Sequence, residues 1–321
     1  MTSRIIGTGS YTPDQIVTND DLAKIVETSD EWIYSRTGIH ERRIAAAGEG
    51  TSDMAVKAAA RALEGAGIAA ADVDIILLAT SSPDNCFPGG ACEVQAAVGA
   101  KNAVAFDISA ACSGFVFAMS TVQAFIQAGV YKTGLVIGVD CLSKLTNWND
   151  RGTCVLFGDG AGAVVLQAAE TGVIDSLMYS DGTKGPVLSC VARTEGNFLS
   201  GKKPELGYIY MDGQEVFKFA VKRVPESIKL VLERTGTDIE DIKYFVLHQA
   251  NCRIFESMAK RLKQPIEKFP MNIERYGNTS GASVPIMLDE LNREGRLEEG
   301  DKIILSGFGG GLTWGVILLE W

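Results

Sequence analysis

Three side chains in this sequence could together run thiol chemistry. Cys112 sits in DISAACSGF, His248 opens HQAN, and Asn278 stands in YGNTSGAS. A thiolate can attack an acyl carbon, an imidazole can move or donate a proton, and a carboxamide can donate to developing negative charge. Histidine is scarce, with only His40 and His248 in the chain. His40 lies in the polar, basic stretch RTGIHERR, where a solvated loop histidine is expected. His248 follows the apolar run Tyr244–Leu247, and a histidine where a strand opens into a loop is a typical placement for a catalytic group.

The elements that must position these groups can be read around them. The stretch from Asn102 to Met119 predicts a strand at Val104, Ala105, Phe106 and Ile108, a small-residue turn at Ser109-Ala110-Ala111, and a helix through Phe115, Val116 and Met119. Such an elbow lifts a nucleophile to a helix N-terminus. On this stretch alone a buried structural cysteine is an equal alternative. The charge arithmetic also limits the elbow. A free thiol ionises near about 8.5, and a helix dipole supplies about 0.3–1 kcal/mol. One pKa unit needs about 1.36 kcal/mol, so a partner such as His248 is required.

Elsewhere, Arg4–Gly9 reads as a first strand and Asn19–Val26 as a short helix capped by Asn19. Ser52–Gly65 reads as an amphipathic helix with Ser52 as its cap. Asp74–Thr80 is almost wholly apolar, as expected of a strand buried on both faces in a parallel sheet. Glu215–Arg234 has a helical pattern, with Pro225 a point where it could split or kink. The glycines of Phe308-Gly309-Gly310-Gly311 fit either an anion-binding nest or a hairpin turn. Gly158–Gly162 is not a dinucleotide loop, because apolar runs flank it on both sides; Asp159-Gly160 there predicts a hairpin between two strands.

A repeat relates the two ends of the chain. Gly67–Leu78 aligns with Gly236–Leu247 at an offset of 169 residues. Cys112-Ser113-Gly114 aligns with Thr279-Ser280-Gly281, and Leu135–Asp140 with Lys302–Gly307, at 167. Val164–Leu166 matches Val316–Leu318. This predicts two similar α/β halves, 1–170 with the nucleophile and 171–321 with the histidine and asparagine, packed as a pseudo-dimer. Segment 180–212 has no counterpart and reads as an insertion. Two matching helix N-termini would then face one cleft, one bringing a thiol and the other a carboxamide.

Composition excludes several classes. The 321 residues, 46% apolar and 22% charged, suffice for one large or two ordinary cores. A net charge of −10 disfavours bulk binding of nucleic acid or anionic membrane. Seven cysteines without a CxxC pair point to a reduced, cytoplasmic protein with no structural metal. No signal region, membrane-spanning run or low-complexity segment is expected.

Taken together, DISAACSGF, HQAN, GNTS and GFGGGLTWG, with TSDEWIYSRTGI and DRGTCVLFGDGAGAVVL, resemble the β-ketoacyl-[acyl-carrier-protein] synthase III branch of the thiolase superfamily. The resemblance covers essentially the whole chain. It implies a thiolase-like α/β fold, with two pseudo-symmetric halves whose mixed sheets sandwich central helices. It implies a decarboxylating Claisen condensation that starts type II fatty acid synthesis. An acyl-CoA primer, acetyl-CoA foremost, acylates Cys112; malonyl-acyl-carrier-protein then loses CO2 and attacks. The same resemblance gives His248 and Asn278 as donors to the extender and the amides of Cys112 and Gly310 as the second oxyanion site. Trp32 and Arg151 would sandwich the adenine of CoA, with Arg36 near its phosphates and Asn251 on pantetheine. Lys218, Arg253, Lys260 and Arg261 would form the patch for the acidic carrier protein. Phe157 and Met211 would line the acyl pocket, and Phe87 would cross a homodimer interface into the partner's pocket. No cofactor is implied, since the CoA thioester is a substrate. Same-fold relatives of secondary metabolism, with another primer or acceptor, are the alternative.

Overall fold

The computed structural model describes residues 1–191, 196, 198–203, 205 and 207–321. Two mixed sheets organise the chain. The first runs in the order Thr2–Tyr11, Asp159–Ala169, Thr133–Cys141, Ile75–Ala79, Val104–Ile108. The second runs Val173–Ser180, Thr313–Glu320, Lys302–Gly309, Ile242–Leu247 when taken from the same end. In each, two antiparallel pairings are followed by a parallel one. Ile75–Ala79 pairs in parallel with both neighbours and is wholly buried, which is why every residue in it is apolar.

Helices fill the spaces that the apolar faces demand. Gly114–Gln127 and Ser283–Arg293 lie between the sheets and touch strands of both. Their buried faces join Ile75, Val136, Ile303 and Ile317 in one central core. Thr51–Ala66 and Gly90–Val98 cover the outer face of the first sheet. Gly213–Thr235 and Cys252–Leu262 cover that of the second. The result is five layers with the central helices sandwiched, the architecture the resemblance implies.

One register relates the two halves throughout. The short 3-10 turns Ala70–Asp72 and Ile239–Asp241 lie 169 residues apart, as do Ala111–Ser113 and Ser280–Ala282. The left-handed residues Ala111 (φ 46°) and Ser280 (φ 51°) are equivalent at the same offset. The glycines confirm it reciprocally. A Cβ on Gly138 would lie 2.3 Å from the Gly281 carbonyl, and one on Gly307 would lie 3.0 Å from that of Cys112. Cys112 therefore matches Gly281, not Thr279, and the 167-residue alignments slip by two. A two-residue slip keeps every side chain on its own face of a strand, so apolar patterning cannot detect it.

Other local expectations need correction. Thr18, not Asn19, caps the helix Asn19–Leu22, through a capping box with Asp21. The Asn19 amide instead donates to Asp30 and the Ile39 carbonyl. The helix Thr51–Ala66 follows Gly50, and the Asp84 carboxylate, not Ser52, accepts from its first amides at 3.0 and 2.7 Å. SDEWIYSRTGI contains a helix, Asp30–Thr37, capped by Ser29. Gly213–Thr235 runs through Pro225 unbroken, because Val224, Pro225, Ile228 and Val231 are buried against the second sheet and outweigh one lost bond. Gly158–Gly162 is no hairpin. Arg151–Cys154 is a helix, and Gly160 and Gly162 lie inside the strand Asp159–Ala169. A Cβ on Gly162 would sit 2.7 Å from that of Pro285, so glycine here admits a central helix. Several residues of segment 180–212 lie outside those described; its described part holds the ribbon Leu188–Cys190 with Ile209–Met211.

Candidate active site

The two elbows open onto one cavity of about 550 Å³. Cys112, His248, Asn278, Gly309 and Gly310 line its floor, and Phe157 and Met211 line its apolar side. Cys112 enters at the turn between Val104–Ile108 and Gly114–Gln127. The following strand presses against it, since a Cβ on Gly309 would lie 2.8 Å from the Cys112 Cβ. Thr313 ties the glycine turn to the elbow, donating to the Gly310 carbonyl at 2.8 Å and meeting the Ser113 hydroxyl at 2.6 Å.

His248 follows the strand Ile242–Leu247, as its apolar run predicts, and its amide donates to Ser306 O at 2.8 Å. It is buried, edge-on to Phe308. Its Nδ1 lies 2.7 Å from the Ser283 hydroxyl. Asn278 is fixed through its backbone, bridging to Phe157 by bonds with Leu156 O at 2.9 Å and Gly158 N at 3.0 Å. Its Oδ1 accepts from the Ser280 amide at 2.9 Å, which leaves Nδ2, a donor, to face the cavity.

Burial governs the ionisation. It pushes the Cys112 thiol up to about 12, against a lowering bond from Ser280 and with a raising contribution from Asp140. Burial likewise pushes His248 down to about 3. Burial therefore favours the neutral thiol and the neutral imidazole in this pair. Ser280 Oγ donates to the Cys112 sulfur at 3.3 Å. Behind it, Asp140 is fully buried and raised by burial, while accepting from Thr80, Ser81, Ser82 and the Gly281 amide. Ser280, Ser283 and Asp140 were not singled out from the sequence. The signals were an acid closing the apolar run Leu135–Val139 and two more hydroxyls just beyond Asn278.

The outer residues gather as two groups. The Arg36 and Arg151 guanidinium carbons lie 4.5 and 4.8 Å from the Trp32 ring centroid. Asn251 caps Cys252–Leu262, lines the cavity and donates to the Arg36 carbonyl at 2.9 Å. Arg253 donates to the Ser35 carbonyl at 2.8 Å, so part of its guanidinium is spent on packing. Lys260 and Arg261 are exposed on the last turn of that helix. Lys218, exposed on Gly213–Thr235, pairs with Glu215 at 2.9 Å. Phe87 lies apart from this group and is 87% exposed. His40, expected to be solvated, is half-buried, stacked on Tyr34 and bonded to Asp30 at 2.8 Å.

The family model described as 3-oxoacyl-[acyl-carrier-protein] synthase III matches residues 106–182, and its C-terminal companion matches 232–321. A β-ketoacyl-[acyl-carrier-protein] synthase III of Clostridium acetobutylicum is 54% identical over 99% of this chain and 98% of its own. The chain belongs to the β-ketoacyl-[acyl-carrier-protein] synthase III family. It is thus an acyl-transferring condensing enzyme with the thiolase-like fold. The solved synthase III of Aquifex aeolicus superposes with a TM-score of 0.92 at 46% identity, covering 99% of this chain and all of that one. A priming β-ketosynthase from the R1128 polyketide pathway also superposes at 0.92, with 34% identity, over 99% of this chain and 96% of that one. Among the described residues no helix is long and apolar enough to cross a membrane.

Proposed function

We propose that this synthase III joins a short acyl-CoA primer, acetyl-CoA foremost, to malonyl-acyl-carrier-protein, releasing CoA and CO2 and initiating fatty acid synthesis. The observation that carries this reading is one cavity holding a thiol from one elbow and a carboxamide donor from its twin, with His248 on the same floor. Cys112 attacks the primer thioester, and the acyl oxygen takes its charge between the Cys112 and Gly310 amides. The extender then enters, loses CO2, and its enolate oxygen is met by Asn278 and His248. Such donors are each worth about 2.7–4 kcal/mol.

Trp32, Arg151 and Arg36 suit the adenine and phosphates of CoA, since a flat ring between guanidinium groups stacks and charge-pairs with such a ligand. Asn251 serves pantetheine. Phe157 and Met211 close the acyl end. The acidic carrier protein docks on Lys218, Arg253, Lys260 and Arg261. Both helices that bear them also line the cavity, through Gly213, Val216 and Phe217 on one and Ile254 on the other. Local complementarity of this kind steers a partner despite the net charge of −10. No metal or organic cofactor has a role in this scheme, and the cytoplasm supplies both substrates.

The working form is a homodimer. Val104–Ile108 is an edge strand with Val104 and Phe106 exposed, beside the exposed Phe87. Apolar edges of this kind are normally covered, and a second copy would cover this one. The division at 1–170 and 171–321 belongs to the same reading, supported by the matched strand orders.

The R1128 relative favours a second reading, a priming synthase that serves a different product line. Mass spectrometry separates the claims. Acetyl-CoA should add an acetyl group to the peptide bearing Cys112, and malonyl-acyl-carrier-protein should then remove it as a 3-oxoacyl product. Asn278→Ala should retain acylation but lose about 10²–10³-fold in condensation. An adduct on another cysteine, or unchanged condensation in the variant, would overturn the assignments. A panel of acyl-CoA primers distinguishes the two readings.

A further inference from the structure

The nucleophile elbow and the glycine strand lie side by side. An added Cβ on Gly307 would lie 2.7 Å from Ser113 Cα, one on Gly309 3.1 Å from the Cys112 amide, and one on Gly310 3.3 Å from Ala111 Cβ. Bare backbone permits this approach, but glycine brings no side chain to fix it. Two hydroxyls do. Ser113 Oγ lies 2.6 Å from the Ala110 carbonyl and 2.6 Å from Thr313 Oγ1. Thr313 Oγ1 lies 2.8 Å from the Gly310 carbonyl and 3.2 Å from the Ala110 carbonyl. Among the described residues, every hydrogen bond between Ala110–Gly114 and Gly307–Thr313 passes through these two side chains. Ser113 is buried, and Thr313 lines the cavity together with Gly310.

Resting on the oxyanion role proposed above for the Cys112 and Gly310 amides, we infer that Thr313 and Ser113 form a clasp that sets the spacing of those two amides. The Ala110 carbonyl belongs to the peptide next to the Cys112 N–H, and the Gly310 carbonyl to the peptide next to the Gly310 N–H. Peptide units are planar, so anchoring one leaves only the two dihedrals at the shared Cα to orient the next. Both residues are positioning residues that act through the backbone. Thr313 is the hub, because it alone reaches both carbonyls.

The clasp serves one kind of step. When a nucleophile adds to the acyl carbon, the C=O electron pair moves onto oxygen and the two amides take that charge. When the leaving group departs, the pair returns. This happens twice in the proposed scheme, first with Cys112 adding and CoA leaving, then with the extender carbanion adding and Cys112 leaving. Donors of this kind act only at about 2.7–3.1 Å from the developing oxyanion, and a misplacement of about 1 Å can cost ~10²-fold. Alkylation of the same thiol by iodoacetamide displaces iodide at a saturated carbon and builds no charge on an acyl oxygen. Lost amide spacing therefore separates the two reactions, whereas damage to the surroundings of the thiol slows both.

Paired rates on Cys112 test this, acetylation by acetyl-CoA against alkylation by iodoacetamide, both read by mass spectrometry. Thr313→Val keeps the side-chain shape and removes the hydroxyl. It should slow acetylation about 10- to 100-fold while leaving alkylation within about twofold of the unaltered protein. Ser113→Ala leaves Thr313 to bridge both carbonyls alone, so it should slow acetylation by less. Thr313→Ser, which keeps the hydroxyl, should restore acetylation. Undiminished acetylation in Thr313→Val would overturn the clasp. Equal slowing of both reactions would overturn it too, since the hydroxyls would then support the thiol and not the amides. Should the valine variant not fold, Ser113→Ala decides by the same two outcomes. An unaltered protein that takes no acetyl group on Cys112 would instead overturn the condensing role, and this inference with it.

Discussion

Ser280 Oγ lies 3.3 Å from the Cys112 sulfur, and Ser280 occupies in the second elbow the place Ala111 holds in the first. The second half thus reaches the Cys112 thiol with its own left-handed residue. Because Ser280 donates to sulfur, it favours the thiolate that burial opposes.

Removing that donor should make the thiol less reactive. A hydrogen bond to a charged group is worth about 1.5–3 kcal/mol. Ser280→Ala should therefore slow alkylation of Cys112 by iodoacetamide, and its acetylation, roughly 10- to 100-fold, with the fold retained by circular dichroism. Equal rates in the two proteins would remove Ser280 from the site.

The pH response has a defined sign. Cys112 is raised from 9.0 to about 12 by burial, so its contribution to stability is whole below 9 and is lost as pH rises toward 12. His248 is lowered from 6.5 to about 3 by burial, so its contribution is whole above 6.5 and is lost as pH falls toward 3. With respect to these two groups, stability should be flat from about 6.5 to 9 in urea titrations. Alkylation of Cys112 in the free enzyme should keep rising through pH 9. A plateau at neutral pH would instead reveal a preformed thiolate–imidazolium pair.

Gly309 is required for space. An added Cβ would meet the Cys112 Cβ at 2.8 Å and the Cys112 sulfur and amide at 3.1 Å. Gly309→Ala should destabilise the protein by about 1–3 kcal/mol, read from denaturant midpoints. It should also depress acetylation of Cys112 more than tenfold, on the order of 1.4 kcal/mol or beyond. Normal acetylation would show that the elbow can yield.

Phe87 offers a surface test. At 87% exposed it contributes little to the packing of its own chain. Phe87→Ala should leave the melting of the isolated subunit within about 0.5 kcal/mol. It should weaken self-association in sedimentation velocity and alter the preferred primer length. A dimer of unchanged affinity would separate Phe87 from the interface.

The sequence by itself determined the thiol, imidazole and carboxamide and the elements that carry them. His248 stands at the end of the apolar run Tyr244–Leu247, whose length and periodicity name its strand, and Ile75–Ala79 is legible in the same way. The duplication was legible for the same reason. Its register was not, because a slip of two residues preserves strand alternation; the close approach of Gly138 to Gly281 and of Gly307 to Cys112 decides it. The protonation state also belongs to the tertiary structure. Helix-dipole arithmetic pointed to a thiol lowered slightly, whereas desolvation by burial raises it. Ser280, Ser283 and Asp140 are ordinary polar residues in the chain. They come together beside Cys112 and His248 only where folding buries them.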